Sequence, residues 1–214
     1  MERIICLAIG YVFGLFQTGY IYGKLHNVDI RTMGSGNAGT TNALRTMGLK
    51  AGAVTFLGDA FKCIFAVLTV KLIFGNAHGD ILPLLAMYSG TGAVLGHNFP
   101  FYLKFKGGKG LAATAGLLAS TLHPGLVLVC LLAFAIPVIV TKYVSLGSLI
   151  VVTTYLACVI GYGQMGGFGV EQVVLNEMYV IAAFLMILAF IRHRANIQRL
   201  MNGTENKIGK SKKK

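Results

Sequence analysis

Charge is scarce in this chain. Only 12% of its 214 residues are Asp, Glu, Lys or Arg, about half the share usual in a water-soluble domain. Paired cysteines are missing as well. Cys6, Cys63, Cys130 and Cys158 each sit in an apolar run with no recurring spacing, so they read as small buried hydrophobes rather than disulfides or ligands. No His, Cys, Asp and Glu cluster has metal-ligand spacing, so no metal is expected. The Gly-x-x-x-x-Gly-Lys-Ser/Thr spacing of a nucleotide loop is absent. So is a Gly-x-Ser-x-Gly elbow. None of the five histidines is followed by Asp at the spacing His-x-x-x-x-Asp. There is no sign of a folded basic face for nucleic acid.

What the chain has instead is oil. Hydrophobic residues make up 55% and the mean hydropathy is +0.70. The apolar runs are Ile4 to Tyr22, Gly52 to Phe74, Ile81 to Leu95, Leu111 to Leu122, Gly125 to Val140, Leu146 to Tyr162, and Met178 to Ile191. Several fall short of the ~20 residues of a perpendicular span. The pattern predicts an all-α membrane protein of seven transmembrane helices, some short, in one domain over residues 1–214, with a basic, flexible tail over 203–214. Leu111 to Val140 reads either as one long helix or as two helices broken at His123-Pro124-Gly125, since Pro and Gly punctuate helices. Met1-Glu2-Arg3 is a poor basic n-region, so the first run is read as a retained helix and not a cleaved signal.

Loop charge decides between those two readings, because cytoplasmic loops collect Lys and Arg. With seven spans and the N-terminus outside, the inner loops hold Lys24, Arg31, Arg45, Lys50, Lys104, Lys106, Lys109, Lys142 and the tail from Arg192. The outer loops hold Asp80, Glu171 and Glu177, with Arg3 and at most Lys71 as cations. A fused Leu111 to Val140 would put Lys142 and the tail outside, so the break is expected. The net charge of +12 then follows from the positive-inside rule and from attraction of the terminal lysines to anionic lipid heads.

Three dense polar segments fall on this predicted cytoplasmic side: GSGNAGTTNALR (Gly34 to Arg45), GHNFPFYLKFKGGKG (Gly96 to Gly110) and HRANIQRLMNGTE (His193 to Glu205). A shorter one, TKYVSLGS (Thr141 to Ser148), joins them. Gly34, Gly36 and Gly39 allow sharp turns and close approach of backbone to ligand. Successive amides there can form an anion-binding nest, and Thr40 or Thr41 can cap a following helix. Arg45 offers a planar fork to phosphate. Gly107-Gly108-Lys109-Gly110 repeats the scheme ahead of a predicted helix N-terminus, where phosphate is favoured.

The bland reading of the first segment is an interfacial turn with a helix cap. Recurrence of glycine beside cations in two loops on one face favours a phosphate-bearing ligand. His97 and His193, each alone, read more readily as interfacial histidines. Asn37, Asn42, Asn98 and Asn196 need partners or water if buried. Asp59 and Lys62, three apart within the second run, are either a mutually neutralised packing pair or functional groups.

Together, and in this order, the three segments resemble the signature motifs of the PlsY family, the bacterial membrane glycerol-3-phosphate acyltransferases that use acyl phosphate. The resemblance covers nearly the whole chain; Cys63 departs from it where a glycine is expected. It implies a seven-helix enzyme of the bacterial inner membrane, C-terminus cytoplasmic, that acylates the 1-hydroxyl of glycerol 3-phosphate. Lysophosphatidic acid and phosphate would be the products, with no cofactor and no requirement for acyl carrier protein or coenzyme A. It marks Ser35, Arg45, His193 and Asn196 as catalytic. Gly34, Gly36, Asn37, Thr41, Asn42, His97, Lys104, Lys106, Gly107, Gly108, Lys109 and Ser145 would bind substrate. Direct transfer is preferred, with Ser35 orienting rather than carrying the acyl group. The proton would go to a substrate phosphate oxygen, with His193 the rival acceptor. Two non-enzymatic readings stand beside this: a small anion transporter, against which no inverted repeat or pair of broken helices is seen, and a lipid-binding scaffold.

Overall fold

The computed structural model describes residues 1–208; the last six residues of the predicted tail lie outside the described residues. The described residues are helical and form no strand. They fall into two compact units, the first Met1–Thr121 and the second starting at Leu122.

The first unit holds α1 (Glu2–Gly14), α2 (Thr18–Leu25), α3 (Thr40–Met47), α4 (Leu49–Phe74), α5 (Leu82–Asn98) and α6 (Leu111–Thr121). Its tightest pairing is α1 against α5, and glycine is the reason. Gly10 and Gly14 lie four apart on α1; Gly92 and Gly96 lie four apart on α5. A Cβ on Gly10 would strike the Ser89 carbonyl, and one on Gly92 would strike that of Leu7. Without side chains the two backbones come into contact, the small-residue packing that holds helices together in lipid. Gly116 lets α6 approach α4 at the Ala60 carbonyl in the same way. Cys63 is fully buried, and its Sγ lies 3.9 Å from the Gly90 carbonyl oxygen of α5.

The second unit holds α7 (Pro124–Thr141), α8 (Val144–Gln164), α9 (Gln172–Arg192) and α10 (Arg194–Met201). Its core gathers Tyr155 and Val159 of α8 with Met178 and Ala182 of α9. Gly147 admits Phe134 and Val138 of α7. Residues after α10 fold back onto the α7–α8 turn. The Ile208 amide donates to the Lys142 carbonyl at 2.9 Å, and the Lys207 ammonium sits 5.4 Å from the Tyr143 ring centroid.

All seven apolar runs are helical, and the expected break is present. α6 ends at Thr121, α7 begins at Pro124, and the His123 imidazole accepts from the Gly125 amide at 3.2 Å. Seven membrane helices, some short, were expected, and not all are long enough to count as full spans. Five segments are long and apolar enough to cross a membrane: Glu2–Leu25, Leu49–Phe74, Pro124–Thr141, Val144–Gln164 and Gln172–Arg192. α5 has 17 residues and α6 only 11, below the length of a perpendicular span. The first run is also not one helix, because Leu15, Phe16 and Gln17 interrupt it. The chain is a multi-pass membrane protein. Along α7, Leu131, Ile136, Ile139 and Val140 are all more than half exposed, a surface suited to lipid and not to water.

Candidate active site

The first motif is a loop wired by one side chain. Asn42, 2% exposed, sits one turn into α3 and reaches back. Its Nδ2 donates to the carbonyls of Ile30 (3.1 Å) and Met33 (2.9 Å), and its Oδ1 accepts from the Ser35 amide at 2.9 Å. Gly34 and Gly36 adopt positive φ, 58° and 71°, the left-handed geometry that glycine takes without strain. The Gly36 amide donates to the Met33 carbonyl at 2.9 Å, and the Gly39 amide to Asn37 Oδ1 at 2.9 Å.

Two expectations are corrected here. Ser35, Gly36 and Gly39 have spent their amides inside the loop, so they do not form an open nest. The cap of α3 is Gly39, with no side-chain cap bond; Thr40 and Thr41 are half-buried, and the buried Thr40 hydroxyl has no partner among the described residues. What the loop displays outward is the Ser35 side chain and, from the last turn of α3, Arg45. Both are exposed, and neither side chain has a hydrogen-bond or ion-pair partner among the described residues.

The second motif follows the same plan. Gly107 and Gly108 donate to the carbonyls of Asn98 (3.2 Å) and His97 (3.1 Å). Their missing side chains are a steric necessity: a Cβ on Gly107 would strike the His97 carbonyl, and one on Gly108 would strike His97 Nε2. Gly110, at φ 83°, turns the chain into α6. Lys104 and Lys106 are exposed and Lys109 is half-buried.

Both motifs are pinned to one four-residue stretch, Phe16 to Gly19, at the break between α1 and α2. Gln17 Nε2 donates to the carbonyls of Gly14 (3.2 Å), Gly96 (3.4 Å) and His97 (3.1 Å). Thr18 Oγ1 donates to Asp59 Oδ1 at 3.1 Å, and Lys62 Nζ to the Phe16 carbonyl at 2.6 Å. Gly19 abuts the Ala38 carbonyl of the first motif. Tyr102 OH closes the second motif onto the Leu15 carbonyl at 2.7 Å. Gln17 and Thr18 were missed in sequence. Their only signal was polarity inside an apolar run.

Asp59 and Lys62 are 0% and 5% exposed and pair at 2.8 Å. The pair includes His97, whose Nδ1 lies 2.8 Å from Lys62 Nζ and 3.5 Å from Asp59 Oδ1.

In the second unit, His193 joins α9 to α10 and is 4% exposed. Its Nδ1 lies 2.8 Å from the Ala189 carbonyl oxygen. A carbonyl only accepts, so Nδ1 carries a proton, and in the neutral ring Nε2 is the acceptor. Asn196 Nδ2 donates to Glu205 Oε1 at 2.9 Å, and Arg199 Nε donates to Glu205 Oε2 at 2.8 Å. Ser145 is buried in the first turn of α8, its hydroxyl unpartnered. Among the described residues no three His, Cys, Asp or Glu side chains gather where a metal would fit.

The family model described as glycerol-3-phosphate acyltransferase matches residues 4–203. The chain belongs to this family. Among its relatives is a glycerol-3-phosphate acyltransferase of Clostridioides difficile, 44% identical over 212 residues, covering 98% of this chain and 97% of that one. Another, from Halalkalibacterium halodurans, is 41% identical over 214 residues, covering 99% and 98%. The fold is similar to that of PlsY, an integral membrane glycerol 3-phosphate acyltransferase. Crystal structures of its glycerol 3-phosphate and lysophosphatidic acid forms superpose with TM-scores of 0.82 and 0.79. Each is 29% identical to this chain and covers 98% of it and 96% of its own chain. The buried hydrogen bonds tie both loops into the first unit, while Ser35, Arg45, Lys104 and Lys106 are exposed.

Proposed function

We propose that the chain transfers a fatty acyl group from acyl phosphate to the 1-hydroxyl of sn-glycerol 3-phosphate. The observation that carries the reading is the exposed, unpartnered guanidinium of Arg45 beside the internally wired loop of Ser35, in a member of the glycerol-3-phosphate acyltransferase family. A fork of charged N–H donors held on a fixed loop suits a phosphate. Lys104 and Lys106 add point charges from the second motif. Asn42, Asn37 and the motif glycines act by shaping the loops.

The step is a direct substitution. The 1-hydroxyl oxygen bonds to the acyl carbon, the bond from that carbon to the phosphate oxygen breaks, and inorganic phosphate leaves with the electron pair. The hydroxyl proton passes to a phosphate oxygen of glycerol 3-phosphate; His193, with Nε2 as its acceptor side, is the protein group able to receive it. Ser35 orients the substrate by hydrogen bonding, and orientation supplies much of the catalysis when the leaving group is already good. Thr41, Lys109 and Ser145 are the remaining residues proposed to bind substrate, and Asn196 the remaining one proposed for catalysis. The whole chain serves as one acyltransferase domain of a bacterial inner membrane, with the N-terminus outside, the C-terminus cytoplasmic and membrane lipids around it.

Purified full-length protein in lipid, given radiolabelled glycerol 3-phosphate, tests the donor. Lysophosphatidic acid should form with acyl phosphate alone. Product with an acyl carrier protein or coenzyme A thioester, and none with acyl phosphate, would overturn the donor assignment. Uptake of labelled glycerol 3-phosphate into sealed vesicles without acylation would replace the enzyme by a transporter.

A further inference from the structure

The buried Lys62 is absorbed by neither motif, yet it touches one of them. Its ammonium has three hydrogens and three acceptors at bonding distance: the Phe16 carbonyl at 2.6 Å, Asp59 Oδ1 at 2.8 Å and His97 Nδ1 at 2.8 Å. With 4% of its side chain exposed, it has little access to water. Phe16 and Asp59 offer only acceptors, and the Asp59 carboxylate at 2.8 Å pairs with the charged ammonium, so the third hydrogen points to His97. His97 Nδ1 is then the acceptor, and the ring hydrogen sits on Nε2. Nε2 is the atom that a Cβ on Gly108 would strike, so this edge of the ring lies against the glycine turn of the second motif.

We propose that Lys62 is a positioning residue that locks His97 in its Nε2–H tautomer. Asp59 and Thr18 hold Lys62 in place, since Asp59 Oδ1 accepts from both. The lock matters electrostatically. A nitrogen lone pair beside a turn that takes an anion repels it, whereas an N–H attracts it. Lys62 removes the first possibility. His193 is set the other way, by a carbonyl on Nδ1, so the two motif histidines have opposite tautomers. The tautomer claim stands on the contacts of Lys62 and its pairing with Asp59; its consequence for substrate rests on the reading of the second motif as part of the glycerol 3-phosphate site.

The decisive measurement is nitrogen NMR of full-length, histidine-labelled protein in lipid bilayers, with the His97 signals identified by their loss in His97→Gln. His97 should show a protonated Nε2 and a bare Nδ1, and His193 the reverse. In Asp59→Leu/Lys62→Met, which removes the pair together and strands no buried charge, His97 should populate both tautomers. A protonated Nδ1 in the wild type, or an unchanged His97 in the folded double variant, overturns the lock.

Kinetics give the second arm. The double variant should raise KM for glycerol 3-phosphate roughly two- to twelvefold, the worth of one hydrogen bond, with kcat little changed. His97→Gln, whose amide nitrogen reaches the place of Nε2, should keep a lower KM than His97→Asn, whose amide reaches only that of Nδ1. Equal KM values for these two variants contradict the donor role of Nε2. A wild type that acylates no glycerol 3-phosphate overturns the functional reading while the spectrum still decides the lock.

Discussion

Asn42→Ala removes the side chain that closes the first motif. Three hydrogen bonds disappear, two from Nδ2 to the carbonyls of Ile30 and Met33 and one from the Ser35 amide to Oδ1. At about 0.5–1.5 kcal/mol each, the loop loses roughly 1.5–4.5 kcal/mol, which multiplies its local opening roughly ten- to two-thousandfold. The helices do not depend on these bonds, so helical content should stay unchanged. Hydrogen exchange of the ligand-free protein should accelerate in peptides covering residues 30–39, and kcat/KM for glycerol 3-phosphate should fall with it. Asn42→Asp is the sharper variant. It keeps the acceptor for Ser35 but turns a second oxygen toward two carbonyls, so it should be at least as damaging as alanine despite its matching shape. If exchange in the ligand-free protein is unchanged in both variants while KM rises, Asn42 is a substrate contact and not the clamp, and the reasoning fails.

Four further outcomes are expected. Gly108→Ala drives a Cβ into His97 Nε2; overpacking costs about 1–3 kcal/mol, and KM for glycerol 3-phosphate should rise. Gly161→Ala, with open space around the new Cβ, should leave the kinetics alone. The Asp29 carboxyl is lowered from 3.8 to about 2, first by the side-chain bond from Arg31 and then by that residue's amide and charge. A depressed carboxyl stabilises above its unfolded value and loses that contribution as pH falls through its folded one. Local exchange at residues 28–33 should therefore show no pH-dependent loss of protection from about pH 8 to 5 and lose protection only between about 4 and 2; a loss near neutrality would contradict it. Single cysteines at Lys142 and Lys207, whose neighbourhoods meet through the Ile208 amide and Tyr143, should both be labelled from the cytoplasmic side only; labelling of Lys142 from outside would reverse the topology.

The apolar runs were legible because burial in lipid demands long oily helices, and each of them is helical in the structure. The break at His123-Pro124 was legible because Pro carries its own punctuation. The break at Phe16-Gln17 was not: no Pro marks it, and the flanking Gly14 and Gly19 are two of many glycines in these apolar runs. Gln17 is tolerated there only because the carbonyls of Gly96 and His97, some eighty residues away, accept its hydrogens. The same non-locality hid the roles of the motif glycines. Their abundance suggested amides open to an anion, but Gly36, Gly39, Gly107 and Gly108 turned out to bond within the chain. Gly108 is small because His97 lies against it, a contact no spacing rule predicts. The Asp59–Lys62 pair was visible from its three-residue spacing, whereas its third member, His97, comes from another helix.

Equilibrium binding of glycerol 3-phosphate to full-length protein in lipid nanodiscs, by calorimetry, compares wild type with Arg45→Ala most directly. A charge-assisted hydrogen bond is worth about 1.5–3 kcal/mol, so alanine should weaken binding roughly ten- to a hundred-and-fifty-fold, and Arg45→Lys should recover part of it by keeping the charge without the fork. Affinity equal to wild type in a correctly folded Arg45→Ala would contradict the phosphate site on the first motif.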